Sequence, residues 1–573
     1  NTSSLSVNAL AEATGRPDRF VGLHFFYHPA KNRLIEVIPA ETTSKDTLER
    51  TVQYCRTLGK VVIVCKDRPG FVVNRFFVPW LNEACLLLEE GIATAAQIDA
   101  ISCKAFRIGL GPFGLMNLTG PPIALHSTDY LAEQLNTSRY NGAQNLRDLV
   151  AENAMWPIED ESEYTQDQYT TVSERLLGVV FGVAAQIVEE DICSMEDVDR
   201  GAKVGLRWAR GPFEMMNRIG VAEAYRMAQS YQAIAGEAWT LPAFFKDQSD
   251  ASTNWDFSYV DSSIEGGIAT ITINRPEAMN ALNEVVIAQL TEAVQAANAD
   301  SNVTTIVLDG AGKAFVAGAD VKFFVDKIRS DDIPDIETFT ENGHILLAAL
   351  EDSIKTTIAL TTGLALGGGL ELALACDYRI GTRRTQFRFP ETSIGIYPAL
   401  GGTQRPARIA GRELGRWAVL AGNFMNAETA SDLGLVTHLV DINDVPNCIK
   451  DIHASGKPDN KYPGKPMNEN SPVVKFAKKF FSDGNMAALL AGSCPDGFDA
   501  EDKTVARQLK SLKFTAPIGL AMASERIDAT ASMSLDEGLQ LELQGLDRIF
   551  STEDALEGLS ALIEGRRATY KNA

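Results

Sequence analysis

Two glutamates and two glycine-rich turns are the groups in this chain that could share one reaction. Glu371 lies in GLALGGGLELALACDYRI, where Gly367, Gly368 and Gly369 run into an apolar segment that reads as a buried helix. Glu391 follows a proline in FPETSIGIYPALGGT, and GAGKAFVAGAD at residues 310–320 forms a second glycine-rich turn after the strand-like residues 304–308. Glycines let backbone approach a ligand closely, and a helix that starts there turns unpaired N–H groups and the positive end of its dipole outward. One N–H from each turn, converging on a thioester oxygen, would form an oxyanion hole, and loss of one such donor typically costs about 10²–10³ in rate. Two carboxylates beside the hole can hold a water and move its protons, which suits addition of water to an activated double bond. Alone, an acid on a helix is usually a solvated or ion-paired group and three glycines are only a turn. Their conjunction changes the reading.

NRPEAMNALN, AFVAGAD, GLALGGGLELA and PETSIGIYPALGGTQR occur in that order, and this part of the chain resembles the crotonase superfamily, specifically enoyl-CoA hydratase. The resemblance implies that the oxyanion-hole N–H groups fall on Ala319 and Gly368 and the catalytic carboxylates on Glu371 and Glu391. In such enzymes the first acid helps activate the water, while the second also holds it and exchanges a proton with C2 of the acyl chain. Having both favours a hydratase, which uses no cofactor, over the enoyl-CoA isomerases and acyl-CoA hydrolases of the same fold. Glu277 stands where many hydratases have lysine, and Ala399 where a glycine often follows the proline.

The chain begins at Asn1 within a different pattern. NTSSLSVNALAEATGRPDRFVGLHFFYHPAKNRLIEVIPA, followed by GKVVIVCKDRPGFVVNRFFVPWLNEA, resembles 3-hydroxyacyl-CoA dehydrogenase from partway through its nucleotide-binding domain. The resemblance implies His24 as the base that takes the hydroxyl proton, Glu36 as its partner, and Ser3 and Asn74 as polar contacts of substrate and cofactor, with Ser3 reaching NAD. A carboxylate bonded to an imidazole fixes its tautomer and stabilises the imidazolium. Tyr27 replaces the asparagine usual after the two aromatics. The phosphate-binding G-x-G-x-x-G and the ribose-binding acid are expected upstream, in a longer parent chain that binds NAD. On this reading the 573-residue chain hydrates crotonyl-CoA and does not itself reduce NAD.

From Phe76 to Tyr231 the periodicity is helical and the sequence repeats. LEEGIATAAQIDAISCKAFRIGLGPFGLMNLTG aligns without gaps on VEEDICSMEDVDRGAKVGLRWARGPFEMMNRIG, so that Asp99, Gly111, Pro112, Phe113, Met116, Asn117 and Gly120 all recur. Duplication is the simplest explanation. The segment resembles the all-helical C-terminal half of such dehydrogenases, which covers the acyl-CoA and often carries a dimer contact; its Met and aromatic residues read as core. Polar linkers are expected at residues 246–257 and 454–472. The final helices resemble the ends of hydratases, and by that analogy Tyr570 or Lys571 touches a CoA phosphate.

Composition sets the frame. A chain of 573 residues needs several cores, and 45% hydrophobic with 22% charged residues is ordinary for globular proteins. Net charge of −22 opposes nucleic-acid binding. Eight cysteines without C-x-x-C read as buried thiols of a reducing compartment, taken as the cytoplasm; of the six histidines only His24 and His28 have the H-x-x-x-H spacing, and no metal site is expected. No uninterrupted apolar stretch approaches the ~20 residues of a membrane span. The expected fold is multidomain α/β plus α: a Rossmann remnant at 1–66, helical repeats at 67–160 and 161–246, a crotonase core of ββα repeats at 257–453, and terminal helices at 473–573. The expected function is a fused hydratase and dehydrogenase of acyl-CoA thioesters in a homo-oligomer. The alternatives are an isomerase or hydrolase, an N-terminal half that serves only docking or assembly, and a CoA-binding structural protein.

Overall fold

The computed structural model describes residues 1–3, 5–137, 140–159, 162–236, 239–459 and 467–573. They form two compact units, Asn1–Ser258 and Tyr259–Ala573. Both are built as α/β or helical layers, and the fold is the multidomain α/β plus α arrangement that the sequence implies.

The first unit opens with a three-stranded sheet of β1 (Val21–Phe25), β2 (Leu34–Pro39) and β3 (Val61–Val64). β1 runs antiparallel to β2, and β3 parallel to it after the helix Lys45–Thr57. β2 is the middle strand, and its Leu34, Ile35, Glu36, Val37 and Ile38 are all buried, so its single acid needs partners inside the protein.

Helices fill the rest of this unit, and the repeated residues repeat their jobs. Asp99 accepts from the N–H groups of Phe113 and Gly114 at 2.8 Å each, and Asp199 from those of Phe213 and Glu214 at 2.8 Å each. Each aspartate thereby caps the start of a Gly-Pro-Phe helix, Pro112–Thr119 or Pro212–Ile219, where proline at the first position loses no hydrogen bond. Asn117 and Asn217 exchange hydrogen bonds with the backbone of Trp156 and Trp255. Gly120 and Gly220 end the helices at φ 101° and 99°, open to glycine alone without strain. The copies diverge where the helix Ala95–Phe106 is matched by Met195–Arg200 and a π-helical turn, Gly201–Gly205. The helix Gln166–Glu189 is long and apolar enough to cross a bilayer by length and composition, but most of its apolar window is buried in this unit.

The linker expected at 246–257 is not a free connector. Its first part completes the helix Ala243–Ala251, and Trp255 packs on Phe213, Phe244 and Phe245. Polar composition suggested a connector because one anchoring aromatic, Trp255, stands among mostly polar residues and its ring partners lie outside the run. The second expected linker lies partly outside the described residues; from Pro472 the chain is helical again.

The second unit carries two sheets. Strands β4 (Val260–Glu265), β5 (Ile268–Ile273), β6 (Thr305–Gly310), β7 (Ala314–Ala317), β8 (Thr356–Thr361), β9 (Leu364–Leu366), β10 (Tyr378–Gly381), β11 (Gln386–Arg388), β12 (Met425–Asn426) and β13 (His438–Leu439) follow in sequence. β13-β10-β8-β6-β5-β4 make a six-stranded sheet and β12-β11-β9-β7 a four-stranded one. The pairs β6/β7, β8/β9 and β10/β11 each place one strand in the large sheet and the next in the small sheet. That alternation is the ββα repeat of a crotonase fold. Seven further α-helices between Pro472 and Glu564 close the unit.

Candidate active site

The small sheet gathers the predicted groups at one edge. β7, β9 and β11 run parallel, with Ala317 opposite Leu366 and Leu366 opposite Arg388. Ala319 and Gly368 therefore each stand two residues past the ends of adjacent strands, and Glu391 stands just past the end of the third. Parallel strands lie about 4.8 Å apart, so their C-terminal ends present three loops to one small volume.

The backbone there offers donors. Leu282 pairs with this edge by taking the Asp320 N–H at 2.8 Å and giving its own N–H to Gly318 at 2.9 Å. Between those two bonds the Ala319 N–H has no acceptor among the described residues, and neither has that of Gly368, the first residue of the buried helix Gly368–Leu374. Gly367 has φ 48°, and a Cβ on it would lie 2.2 Å from Glu391 Oε1. Only glycine fits.

Both carboxylates are buried. Glu371 is 2% exposed, and its Oε1 accepts the N–H groups of Leu400 and Gly402 at 2.7 Å each. Its Oε2 faces Gly368, 3.9 Å from where a Cβ on that glycine would be. Burial raises the Glu371 carboxyl to about 7, against the pull of those two N–H groups and Arg405. Glu391 is raised well above the ordinary range by burial first and then by the charge of Glu371. Its Oε2 is buried without a hydrogen-bond partner among the described residues. Each acid thus keeps one oxygen uncommitted beside two uncommitted N–H groups.

Four residues given no role by the sequence reading complete the surroundings. Arg405 is buried, paired with Glu351 at 2.8 Å, and donates to the Leu400 carbonyl at 2.8 Å. His344 Nε2 lies 2.7 Å from the Ala399 carbonyl, and burial lowers this imidazole to about 4, so it is neutral. Glu542 is fully buried and accepts from Gly401 and Thr403. Arg405 ends the PETSIGIYPALGGTQR motif, but nothing in the sequence singles out His344, Glu351 or Glu542: each is one polar side chain on an otherwise ordinary helix. The residues matched to CoA contacts lie at the C-terminus, where the Tyr570 hydroxyl donates to the Ser393 carbonyl at 2.7 Å and Lys571 pairs with Glu553 at the surface.

In the first unit β1 and β2 set His24 directly opposite Glu36, and His24 Nδ1 lies 2.5 Å from Glu36 Oε2. Glu36 Oε1 accepts from Val72 and Val73, at 3.2 and 2.9 Å, where the helix Val73–Glu89 begins. The carboxylate is thus fixed on one side by a helix N-terminus and orients the imidazole with the other. Asn74 is half-buried at the second position of that helix. Ser3 is exposed, and the Thr2 N–H bond to Leu23 O holds its neighbour against β1. Tyr27 is exposed. The eight cysteines are all unpaired thiols, and among the described residues no cluster of three His, Cys, Asp or Glu side chains could hold a metal.

Family models match segments of both units. A family model for enoyl-CoA hydratase/isomerase matches residues 268–571. Models for the NAD binding domain and the C-terminal domain of 3-hydroxyacyl-CoA dehydrogenase match residues 1–68, and 70–162 with 172–251. A probable enoyl-CoA hydratase of Rhizobium meliloti is 31% identical over 54% of this chain and 96% of its own. A crotonyl-CoA hydratase of Syntrophomonas wolfei is 29% identical over 53% and 95%. A solved enoyl-CoA hydratase from Rhodobacter sphaeroides aligns at TM-score 0.47 with 26% identity, covering 54% of this chain and 90% of that one. The matched dehydrogenase domain implies NAD. In the first 68 residues, however, Gly15, Gly22 and Gly59 stand apart, with no glycine-rich turn to cradle a pyrophosphate, so the residues present do not by themselves fit the dinucleotide.

Proposed function

Since this chain belongs to the enoyl-CoA hydratase/isomerase family and carries 3-hydroxyacyl-CoA dehydrogenase segments ahead of it, we propose that its Tyr259–Ala573 unit adds water to a trans-2-enoyl-CoA. The product is the (S)-3-hydroxyacyl-CoA, the substrate class of the fused dehydrogenase. One observation carries this reading: two buried acids, each with an uncommitted oxygen, beside two backbone N–H groups without acceptors.

The roles follow from the environments. The thioester oxygen accepts from the Ala319 and Gly368 N–H groups, which draw electron density from the double bond and leave C3 electrophilic. Glu371, whose ionised form is favoured by two N–H donors and Arg405, takes a proton from water as its oxygen bonds to C3. The C2–C3 π pair moves to the thioester as an enolate. Glu391, which burial and the neighbouring acid keep protonated, delivers a proton to C2 and collapses the enolate. Transfer of the proton from Glu371 to Glu391 restores both groups. In the other unit, His24 held by Glu36 suits acceptance of a hydroxyl proton, and Ser3 and Asn74 belong to the same reading as polar contacts of the substrate.

The unpaired thiols support a reducing, cytoplasmic setting, and the homo-oligomer belongs to the same reading. The test follows loss of enoyl-thioester absorbance with crotonyl-CoA. Wild type should hydrate it, and Glu371→Gln and Glu391→Gln should each lower kcat by about 10²–10⁴. A wild-type protein that leaves crotonyl-CoA unchanged would defeat the proposal. Full activity in Glu371→Gln would show that this acid does not activate the water.

A further inference from the structure

Residues 400–403 present four consecutive backbone N–H groups, and these alternate between two buried acids. Leu400 and Gly402 donate to Glu371 Oε1 at 2.7 Å each. Gly401 donates to Glu542 Oε2 at 2.6 Å and Thr403 to Glu542 Oε1 at 3.1 Å, with the Thr403 hydroxyl adding a bond to Oε1. A turn with two adjacent glycines has little conformational preference of its own. Something outside it must set which way its amides point.

We propose that Glu542 is a positioning residue for the hydration reaction: by holding Gly401 and Thr403 from one side, it keeps Leu400 and Gly402 aimed at Glu371 Oε1 and leaves Glu371 Oε2 for the reacting water. This rests on the hydratase reading above. Glu542 lies in the helix Leu535–Leu543, which is fixed against the turn at several points. The Tyr397 hydroxyl donates to the Glu542 carbonyl at 2.5 Å, and a Cβ on Gly538 would fall 2.0 Å from Gln404 Oε1. Gln404 Nε2 donates to Thr403 Oγ at 3.0 Å, which turns the hydroxyl hydrogen toward Glu542. The charged groups around the turn are Glu371, Arg405 with its partner Glu351, and Arg526 over the Tyr397 ring. Burying an acid is costly, and its distinctive return here is to accept two N–H groups and a hydroxyl at once, which no apolar side chain of that size can do.

The test compares wild type with Glu542→Gln and Thr403→Val. Gln turns an NH₂ toward donors, so one backbone N–H loses its acceptor and the turn rotates. With crotonyl-CoA, kcat should fall about 30- to 100-fold while KM stays within about twofold. In a ¹³C NMR titration of glutamate-labelled protein, the Glu371 signal, assigned with Glu371→Gln, should move to higher pH because its N–H donors are displaced. Thr403→Val removes the hydroxyl alone and should act in the same direction by about 3- to 10-fold in kcat; it decides the matter if Glu542→Gln fails to fold. Unchanged kcat and Glu371 titration in a folded variant would overturn the proposal. So would a Glu371 titration moving to lower pH in Glu542→Gln, the effect of merely removing a neighbouring acid. Failure of wild type to hydrate crotonyl-CoA would strike the hydratase reading instead, and the NMR titration would still report whether Glu542 sets the donors of Glu371.

Discussion

Glu371 is placed where function and stability oppose each other. An acid whose folded form holds its proton more tightly than the unfolded chain adds stability only while both are protonated. That contribution is complete below the ordinary 4.5 and is lost as pH rises through about 7. Gln at this position keeps an oxygen for the Leu400 and Gly402 N–H groups and cannot ionise. Glu371→Gln should therefore be more stable than wild type at pH 8, by up to about 3 kcal/mol in urea unfolding, with the difference shrinking toward pH 4.5. A variant less stable than wild type at pH 8 would mean that the buried carboxylate is better solvated than its contacts indicate. The sequence exposed Glu371 and Glu391 because each falls in a glycine-bearing motif, Glu371 two residues after Gly369 and Glu391 in PETSIGIYPALGGTQR. It hid Glu542, since an acid on an amphipathic helix looks solvated until the fold brings the 400–403 turn onto it.

At the scale of elements, the site depends on strand register and on helix starts. Ala319 and Gly368 each stand two residues past strand ends that are level with each other, and proline is tolerated at the first position of a helix, where Gly368 sits. Gly368→Pro should thus remove one oxyanion donor from a folded protein and cost about 10²–10³ in kcat; hydration at the wild-type rate would show that this N–H is not used. The duplicated caps make a second case. A Cβ on Gly111 would lie 2.5 Å from Asp99 Cα, whereas one on Gly109 meets nothing within 4 Å. Gly111→Ala should destabilise by about 1–3 kcal/mol in thermal or urea unfolding, while Gly109→Ala stays within about 0.5 kcal/mol. Equal effects would refute the close packing of cap and turn. The recurrence of Asp99, Gly111, Asn117 and Gly120 was legible as a repeat because caps, close approaches and positive φ allow few residue types. Trp156 and Trp255, which Asn117 and Asn217 hold, fall outside the aligned window and could not be read that way. The misread linker at 246–257 has the same origin: its aromatic anchors act through packing that composition does not record.

At the scale of the molecule, each compact unit has its own buried core. The first includes a cluster with Trp80, Phe106, Phe181 and Phe213, and the second a cluster with Val307, Ile358, Leu360 and Ile380. Cores closed within separate units are expected to melt as separate cooperative transitions. Calorimetry at pH 8 should then resolve two transitions, and point changes can assign them. Gly111→Ala acts through a cap in Asn1–Ser258 and should lower one midpoint by several degrees, leaving the other in place. Glu371→Gln acts on a buried acid of Tyr259–Ala573 and should raise only the second. Proton linkage adds an independent check, because Asp199 in the first unit is also raised by burial, to about 8. Its contribution falls between the ordinary 3.8 and about 8, so both midpoints should drop as pH rises through neutrality, each for its own acid. A single transition that both substitutions displace together would mean that the two cores unfold as one.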